Sequence, residues 1–304
     1  MISRYTYQDL LWVDVQSPTP EEIRSLMEEF KIHPLVAEEL LVPTVRPKVD
    51  WYPNLIYLVL HFPTISHKHD GGSEQEIDFI VGKKFLITAH YNFIDSLHEF
   101  SKMFEVNSIL QKNSIGDHAG FILFYLLKEL YKKLDVELEH IHSDFKEIES
   151  KIFGGNERAM VNTISRLNRD LLNFKQAIRP HKETLESFEI VGTKLFGQEF
   201  SHYLHEIFGE YSKVSSMLDG YRETLLELRD TNDSLLTTKT NEVMKTFTVM
   251  AFVMLPATLV ASVFSTSLDD IPLAHNPNGF WIVSSLIVFI ACSTYLIIKN
   301  KKWM

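Results

Sequence analysis

The chain has 304 residues, 45% of them hydrophobic, a formal net charge of −10 and a single cysteine. The acidic balance argues against a nucleic-acid surface and makes cations the natural partners. Cys292 alone excludes an intrachain disulfide and suits a protein whose soluble part sits in a reducing cytosol.

Residues Met1 to Leu10 carry no apolar core, so no cleaved leader is expected. Leu10 to Val15 reads as a strand. Thr19, Pro20 and Glu22 supply an N-cap, a proline at the first helical position and a capping-box glutamate, which together predict a helix through Phe30. A second short helix is expected from Pro34 to before Pro43. Val49–Tyr52, Leu55–Phe62, Glu76–Val81 and Phe85–His90 are short β-branched or aromatic runs, separated by turn chemistry at Pro53-Asn54, His69 to Gly72 and Gly82-Lys83. Residues 1–120 therefore predict an α+β cytoplasmic domain, a mostly meandering sheet in an α/β/α arrangement.

From Ile94 the strand signals stop. Phe121 to Phe153 carries apolar residues at helical spacing, Gly154-Gly155 breaks the run, and a second helix runs from about Glu157 towards Pro180, so an antiparallel helical pair is expected over 121–197. After Gly197 no proline occurs before Pro256. One long helix is thus predicted, first a stalk over 198–245 and then a membrane span over 246–268. The 23 residues from Thr246 to Leu268 hold no formal charge, enough at about 1.5 Å each to cross a hydrocarbon core roughly 30 Å thick. A second uncharged run gives a second span at 280–298, leaving an external loop at 269–279 and a basic tail at 299–304. Lys239 and Lys245 precede the hairpin and Lys299, Lys301 and Lys302 follow it, while the loop has Asp269 and Asp270 and no basic residue. Both termini are therefore expected on the cytoplasmic side of the cell's inner membrane, with Trp281 and Trp303 at opposite interfaces.

Along the long helix, steps of four and three pick out Asp230, Ser234, Thr237, Asn241, Met244, Thr248, Ala251, Leu255, Thr258, Ser262 and Ser265, nearly all polar or small. The 3.5-residue period is that of a left-handed bundle seam. Such a stripe suits close helix packing or the wall of a pore built from several copies around an axis. Asp230, Asn241 and the hydroxyls favour a wet axis, because a polar group repeated at one depth in every copy is costly unless water or an ion meets it. Met244 and Leu255 are then apolar rings suited to gating by dewetting. Phe247, Val249, Phe252, Leu259, Val260 and Phe264 lie between these positions, as expected against lipid or other helices.

Other groupings carry less. His67, His69 and Asp70 fall in a glycine-rich turn; His140 and His142 point to different faces of a helix; His202, His205 and Glu206 lie at helical spacing where a regulatory cation could bind between copies, or on a plain solvated face. No GxxxxGK[ST] motif, paired catalytic carboxylates or nucleophile elbow occurs, so neither an enzyme nor an ATP-driven pump is expected.

His33-Pro34-Leu35, Glu38-Glu39-Leu40, Arg46-Pro47-Lys48, the segment Thr240 to Lys245, Leu255-Pro256, Thr258-Leu259, Pro272 and the closing Lys301-Lys302-Trp303 together resemble the CorA-type divalent-metal transporters over nearly the whole chain. The resemblance implies a funnel-shaped homopentamer in the lipid bilayer, with the first span lining the pore and passive uptake of Mg2+, possible substrates extending to Co2+ and Ni2+. It implies that intracellular Mg2+ regulates the channel, that Asp230 and Asn241 form hydrated-ion rings, and that no other cofactor is needed. The chain departs from the family where Gly-Met-Asn ends the first span: Ser265-Thr266-Ser267 stand there instead. With Asp269 and Asp270 they form the expected outer mouth, holding the water shell through hydroxyls and attracting cations by field. Two alternatives stand beside this reading: a Zn2+ transporter of the same family coupled to protons, and, motivated by that departure, a non-conducting member with an assembly or sensing role.

Overall fold

A computed structural model describes residues 1–63, 74–110, 116–265 and 278–300. The chain divides into two units, Met1–Arg229 and the remainder from Asp230.

In the first unit a six-stranded sheet has the order β1-β2-β6-β5-β4-β3, from β1 (Ile2–Tyr7), β2 (Leu10–Gln16), β3 (Lys48–Tyr52), β4 (Leu55–Pro63), β5 (Glu74–Gly82) and β6 (Phe85–His90). β3 to β6 form the expected antiparallel meander. β1, which no local pattern signals, pairs antiparallel with β2, and β2 lies parallel to β6.

Strand periodicity gives the sheet two faces. Val13, Val15, Tyr57, Val59, Ile80 and Ile87 pack against Ile23 and Leu26 of α1 (Pro20–Phe30) and Val36 of α2 (Pro34–Glu39). The capping box on α1 is formed: Thr19 Oγ1 accepts from the Glu22 amide and the Glu22 carboxylate accepts from the Thr19 amide. On the opposite face lie α3 (Asp95–Leu110), α4 (Gly120–Phe153), α5 (Glu157–Ile178) and α6 (His181–Phe196). The result is an α/β/α sandwich. Where a helical pair was expected over 121–197, three helices occur; α6 follows Pro180 directly, because a proline at a helix start blocks no hydrogen bond, and Gly192 lets it approach Leu204 closely.

A buried polar relay crosses the core. Tyr131 Oη lies 2.7 Å from His181 Nδ1, and His181 Nε2 lies 2.9 Å from the His61 carbonyl. Nε2 must donate to that carbonyl, and in the neutral ring Nδ1 then accepts from the tyrosine hydroxyl. Burial holds its pKa down at about 3. A second group lies on the other face, where Tyr57 Oη donates to Asp78 Oδ1 at 2.8 Å. Burial, helped by neighbouring Glu76, raises the Asp78 pKa to about 8.

α7 (Ser201–Ser265) is one helix of 65 residues with Pro256 inside it. Within the first unit it runs parallel to α4, with residues 128, 135 and 142 meeting 206, 213 and 221. Lys128 pairs with Glu206 at 2.5 Å, Lys213 pairs with Asp135, and His142 stacks on Tyr221 at 4.9 Å. The second unit holds the rest of α7 and α8 (Gly279–Asn300).

Candidate functional site

From Asn241 to Ser265 none of the side chains of α7 is buried. Partial burial is confined to one stripe, Val249, Val253, Pro256, Ala257, Val260 and Phe264, and α8 has a matching half-buried stripe through Ser284, Ile287, Ala291 and Thr294. These two stripes are the least exposed lines of the two helices. At about 100° per residue, the positions Asn241, Met244, Thr248, Ala251, Leu255, Thr258, Ser262 and Ser265 lie roughly half a turn away. Every one is exposed, as are Asp230 and Thr237 nearer the soluble unit. Two apolar flanks separate seam from back: Phe252, Leu259 and Val263 on one side, Phe247, Met250 and Met254 on the other, all exposed by half or more. Of the bulky residues expected against lipid or other helices, Val249, Val260 and Phe264 lie on the partly buried stripe, while Phe247, Phe252 and Leu259 are exposed.

The hydroxyls on the seam are oriented by the helix itself. Thr237 Oγ1 donates to the Asp233 carbonyl, Thr248 to Met244 and Thr258 to Met254, each at 2.8 Å, and Ser265 Oγ donates to Ser262 at 2.9 Å. With its hydrogen committed to the backbone, each oxygen turns acceptor lone pairs outward. Water bound to a cation points its hydrogens outward, so acceptors are what a hydrated cation needs. Periodicity alone did not reveal this.

The other expected groups separate. Thr266, Ser267, Asp269 and Asp270 of the outer mouth, like His67, His69 and Asp70, lie outside the described residues. Glu206 is ion-paired with Lys128, and with His202 it borders a cavity of about 540 Å3 beside Asp117, Phe121 and Tyr203, while His205 stacks on Phe208 instead. Among the described residues, no three His, Cys, Asp or Glu side chains converge closely enough to hold a metal ion. α7 and α8 are each long and apolar enough to cross a membrane.

The sequence pattern of the CorA-like Mg2+ transporter proteins matches residues 7–300. The chain belongs to that family. It is therefore a member of a transporter family, not an enzyme family. The cobalt/magnesium transport protein CorA of Thermotoga maritima is 25% identical over 296 residues, covering 96% of this chain and 83% of that protein. The complete structure of the CorA magnesium transporter from Methanocaldococcus jannaschii superposes with a TM-score of 0.83 at 20% identity, over 97% of this chain and 92% of that one. The full-length CmaX protein gives 0.75 at 17% identity, over 97% and 89%. At these identities the structural likeness establishes the fold: sheet, helices, long helix and closing apolar helix in one order.

Proposed function

We propose that five copies of this chain form a passive conduit for divalent cations across the cell's inner membrane, with the α7 seam facing the axis and both termini in the cytoplasm. Mg2+ is the proposed cargo, with Co2+ as a second substrate, as the names of the relatives suggest. The observation that carries this reading is the placement of the seam. It lies opposite the partly buried stripe of α7, is exposed in the single chain, and presents oriented acceptors between two apolar flanks. A ring of copies would cover the flanks against neighbours and leave the acceptors on the axis.

On this reading Asp230 and Asn241 ring the inner part of the path, Met244 and Leu255 close it, and Ser265 begins its outer mouth. A membrane potential of 100 mV supplies about 4–5 kcal/mol per divalent ion, so no fuel is required. Glu206 is a candidate for regulatory Mg2+ only if a neighbouring copy supplies further ligands, because its own chain offers it a lysine. Liposomes containing the purified protein and a Mg2+ dye test the proposal under an imposed inside-negative potential. Saturable influx is expected; no influx above that of empty liposomes overturns it.

The serine and threonine at the outer mouth favour one second reading, a member that assembles without conducting. Restoring Gly-Met-Asn at Ser265, Thr266 and Ser267 separates the two. A silent protein that starts to conduct supports the second reading, and an unchanged robust flux supports the first.

A further inference from the structure

The first unit contains a cavity unrelated to the seam. After β2 the chain leaves for α1 on one face of the sheet, and after β6 it leaves for α3 on the other, although β2 and β6 are parallel neighbours. In sheets of this kind, the carboxyl ends of adjacent parallel strands whose connections diverge form a crevice that binds ligands. A cavity of about 280 Å3 lies at that point, bordered by Ser3 and Tyr5 of β1, Asp14 of β2, His90 of β6 and Leu97 of α3, with Phe93 at its rim.

Its chemistry is specific. Asp14 is the cavity's only carboxylate; Met1, whose terminal ammonium is already held by the Gln16 carbonyl and the Glu22 carboxylate, and His98 also line it, with neither lysine nor arginine. A buried relay fixes the carboxylate: Trp12 Nε1 donates to Thr88 Oγ1 at 3.0 Å, and Thr88 Oγ1 donates to Asp14 Oδ1 at 2.5 Å. His90, 3% exposed, lies 3.4 Å from the same carboxylate through Nε2 and 2.5 Å from the Asn92 carbonyl through Nδ1. Asp14 retains 19% side-chain exposure and acceptor capacity on the cavity side. Tyr5, tilted against Trp12 with ring centroids 4.8 Å apart, and Phe93 supply aromatic surface, and Leu97 supplies apolar surface. A carboxylate held from behind and walled by aromatic and aliphatic groups is complementary to a compact cation with N–H donors on a flat apolar body. A metal ion is a poor fit, since no three candidate ligands converge there.

We infer that this crevice is a binding site for a small organic cation of the amidinium or aryl-ammonium class, anchored on Asp14 and packed against Tyr5 and Phe93. The inference is independent of transport. Benzamidine serves as probe and benzoate as its anionic isostere, titrated against the full-length protein in detergent by ligand-observed NMR and calorimetry. Saturable benzamidine binding at millimolar concentration is expected, with none for benzoate. Asp14→Asn should weaken binding by about tenfold or more, the scale of a lost charge-assisted hydrogen bond. Because Asp14 also receives Thr88, a second variant leaves the carboxylate in place: Ser3→Phe, on the edge strand, fills the cavity and should abolish binding in a protein with wild-type circular dichroism. The inference is overturned if benzamidine does not bind the wild type, if benzoate binds as well, or if binding survives in folded Ser3→Phe. Wild-type affinity in folded Asp14→Asn overturns it equally.

Discussion

The two parts of α7 invite comparison. In the first unit the helix buries Leu204, Ile207, Tyr211, Val214, Leu218 and Leu225, with ion pairs spaced along its rim. From Asn241 onward it buries nothing, yet Met244, Phe247, Leu255 and Leu259 are each about 60% exposed or more. One continuous helix thus serves two solvents. Where water surrounds it, apolar residues are turned inward to a core; where lipid and other copies surround it, they are turned outward and the polar and small residues are gathered on one line. An exposed apolar surface this extensive on a single chain marks a region completed by membrane and by partners.

That contrast predicts opposite responses to similar truncations. Phe174→Ala removes a side chain 1% exposed in the first unit and should cost about 3–5 kcal/mol, seen as a large fall in the midpoint of thermal unfolding of the soluble unit. Leu255→Ala removes a side chain 68% exposed. It should leave that midpoint unchanged while increasing Mg2+ flux several-fold in liposomes, because an apolar constriction widens. If Leu255→Ala unfolds the protein, or leaves flux unaltered, the assignment of the seam to the axis fails.

Thr248→Val and Thr258→Val preserve shape and remove the outward acceptors. Each should lower Mg2+ flux by about tenfold, the scale of one lost hydrogen bond to a charged partner, with assembly unchanged by size-exclusion chromatography. Serine substitutions at the same positions should restore it. Loss of assembly in the valine variants would instead show that the hydroxyls hold helices together.

Much of this organisation was readable from residue types. The capping box, the meander, the unbroken helix to Pro256 and the spacing of the seam follow from short-range rules, and the family pattern agrees with them. β1 was not readable, since Ile2 to Tyr7 is a short edge strand whose alternation is blurred by Arg4 and Thr6. α6 was concealed by reading Pro180 as an end when it is also a start. The seam was legible as a line of residue types, but which side of α7 is partly covered needed the structure, and its chemistry needed the hydroxyl bonds to the preceding turn. The relay from Trp12 through Thr88 to Asp14 joins residues 76 apart in sequence, beyond the reach of any local pattern.

Two buried titratable groups in the first unit give a smaller effect with opposite signs. His181, held near pKa 3 against 6.5 when free, is neutral in the fold while the unfolded chain takes up a proton, so stability falls as pH drops from about 6.5 towards 3. Asp78, raised from 3.8 to about 8, keeps a proton in the fold that the unfolded chain releases, so its contribution falls as pH rises from about 4 to 8. The slopes oppose each other between about 4 and 6.5, and Asp78 acts alone above that. Thermal midpoints should therefore decline between pH 6.5 and 8, and Asp78→Asn, which keeps an acceptor for Tyr57, should flatten the decline and raise the midpoint at pH 8 by a few degrees. A midpoint that rises over that interval in the wild type contradicts the assignment.

The smallest effect tests the ion pairs along α4 and α7. Lys128 and Glu206 are 41% and 47% exposed, so water screens them and ordering two long side chains offsets most of the attraction. Lys128→Ala should change stability by less than about 1 kcal/mol. Its value lies in what it frees: Glu206 loses its hydrogen-bonded cation, Lys128, whose pKa that carboxylate raises. If Glu206 contributes to a regulatory cation site shared with a neighbouring copy, Lys128→Ala should lower the Mg2+ concentration that inhibits flux, because the competing internal cation is gone. Inhibition at an unchanged Mg2+ concentration would place Glu206 among the solvated charges of the helix and leave regulation to residues elsewhere.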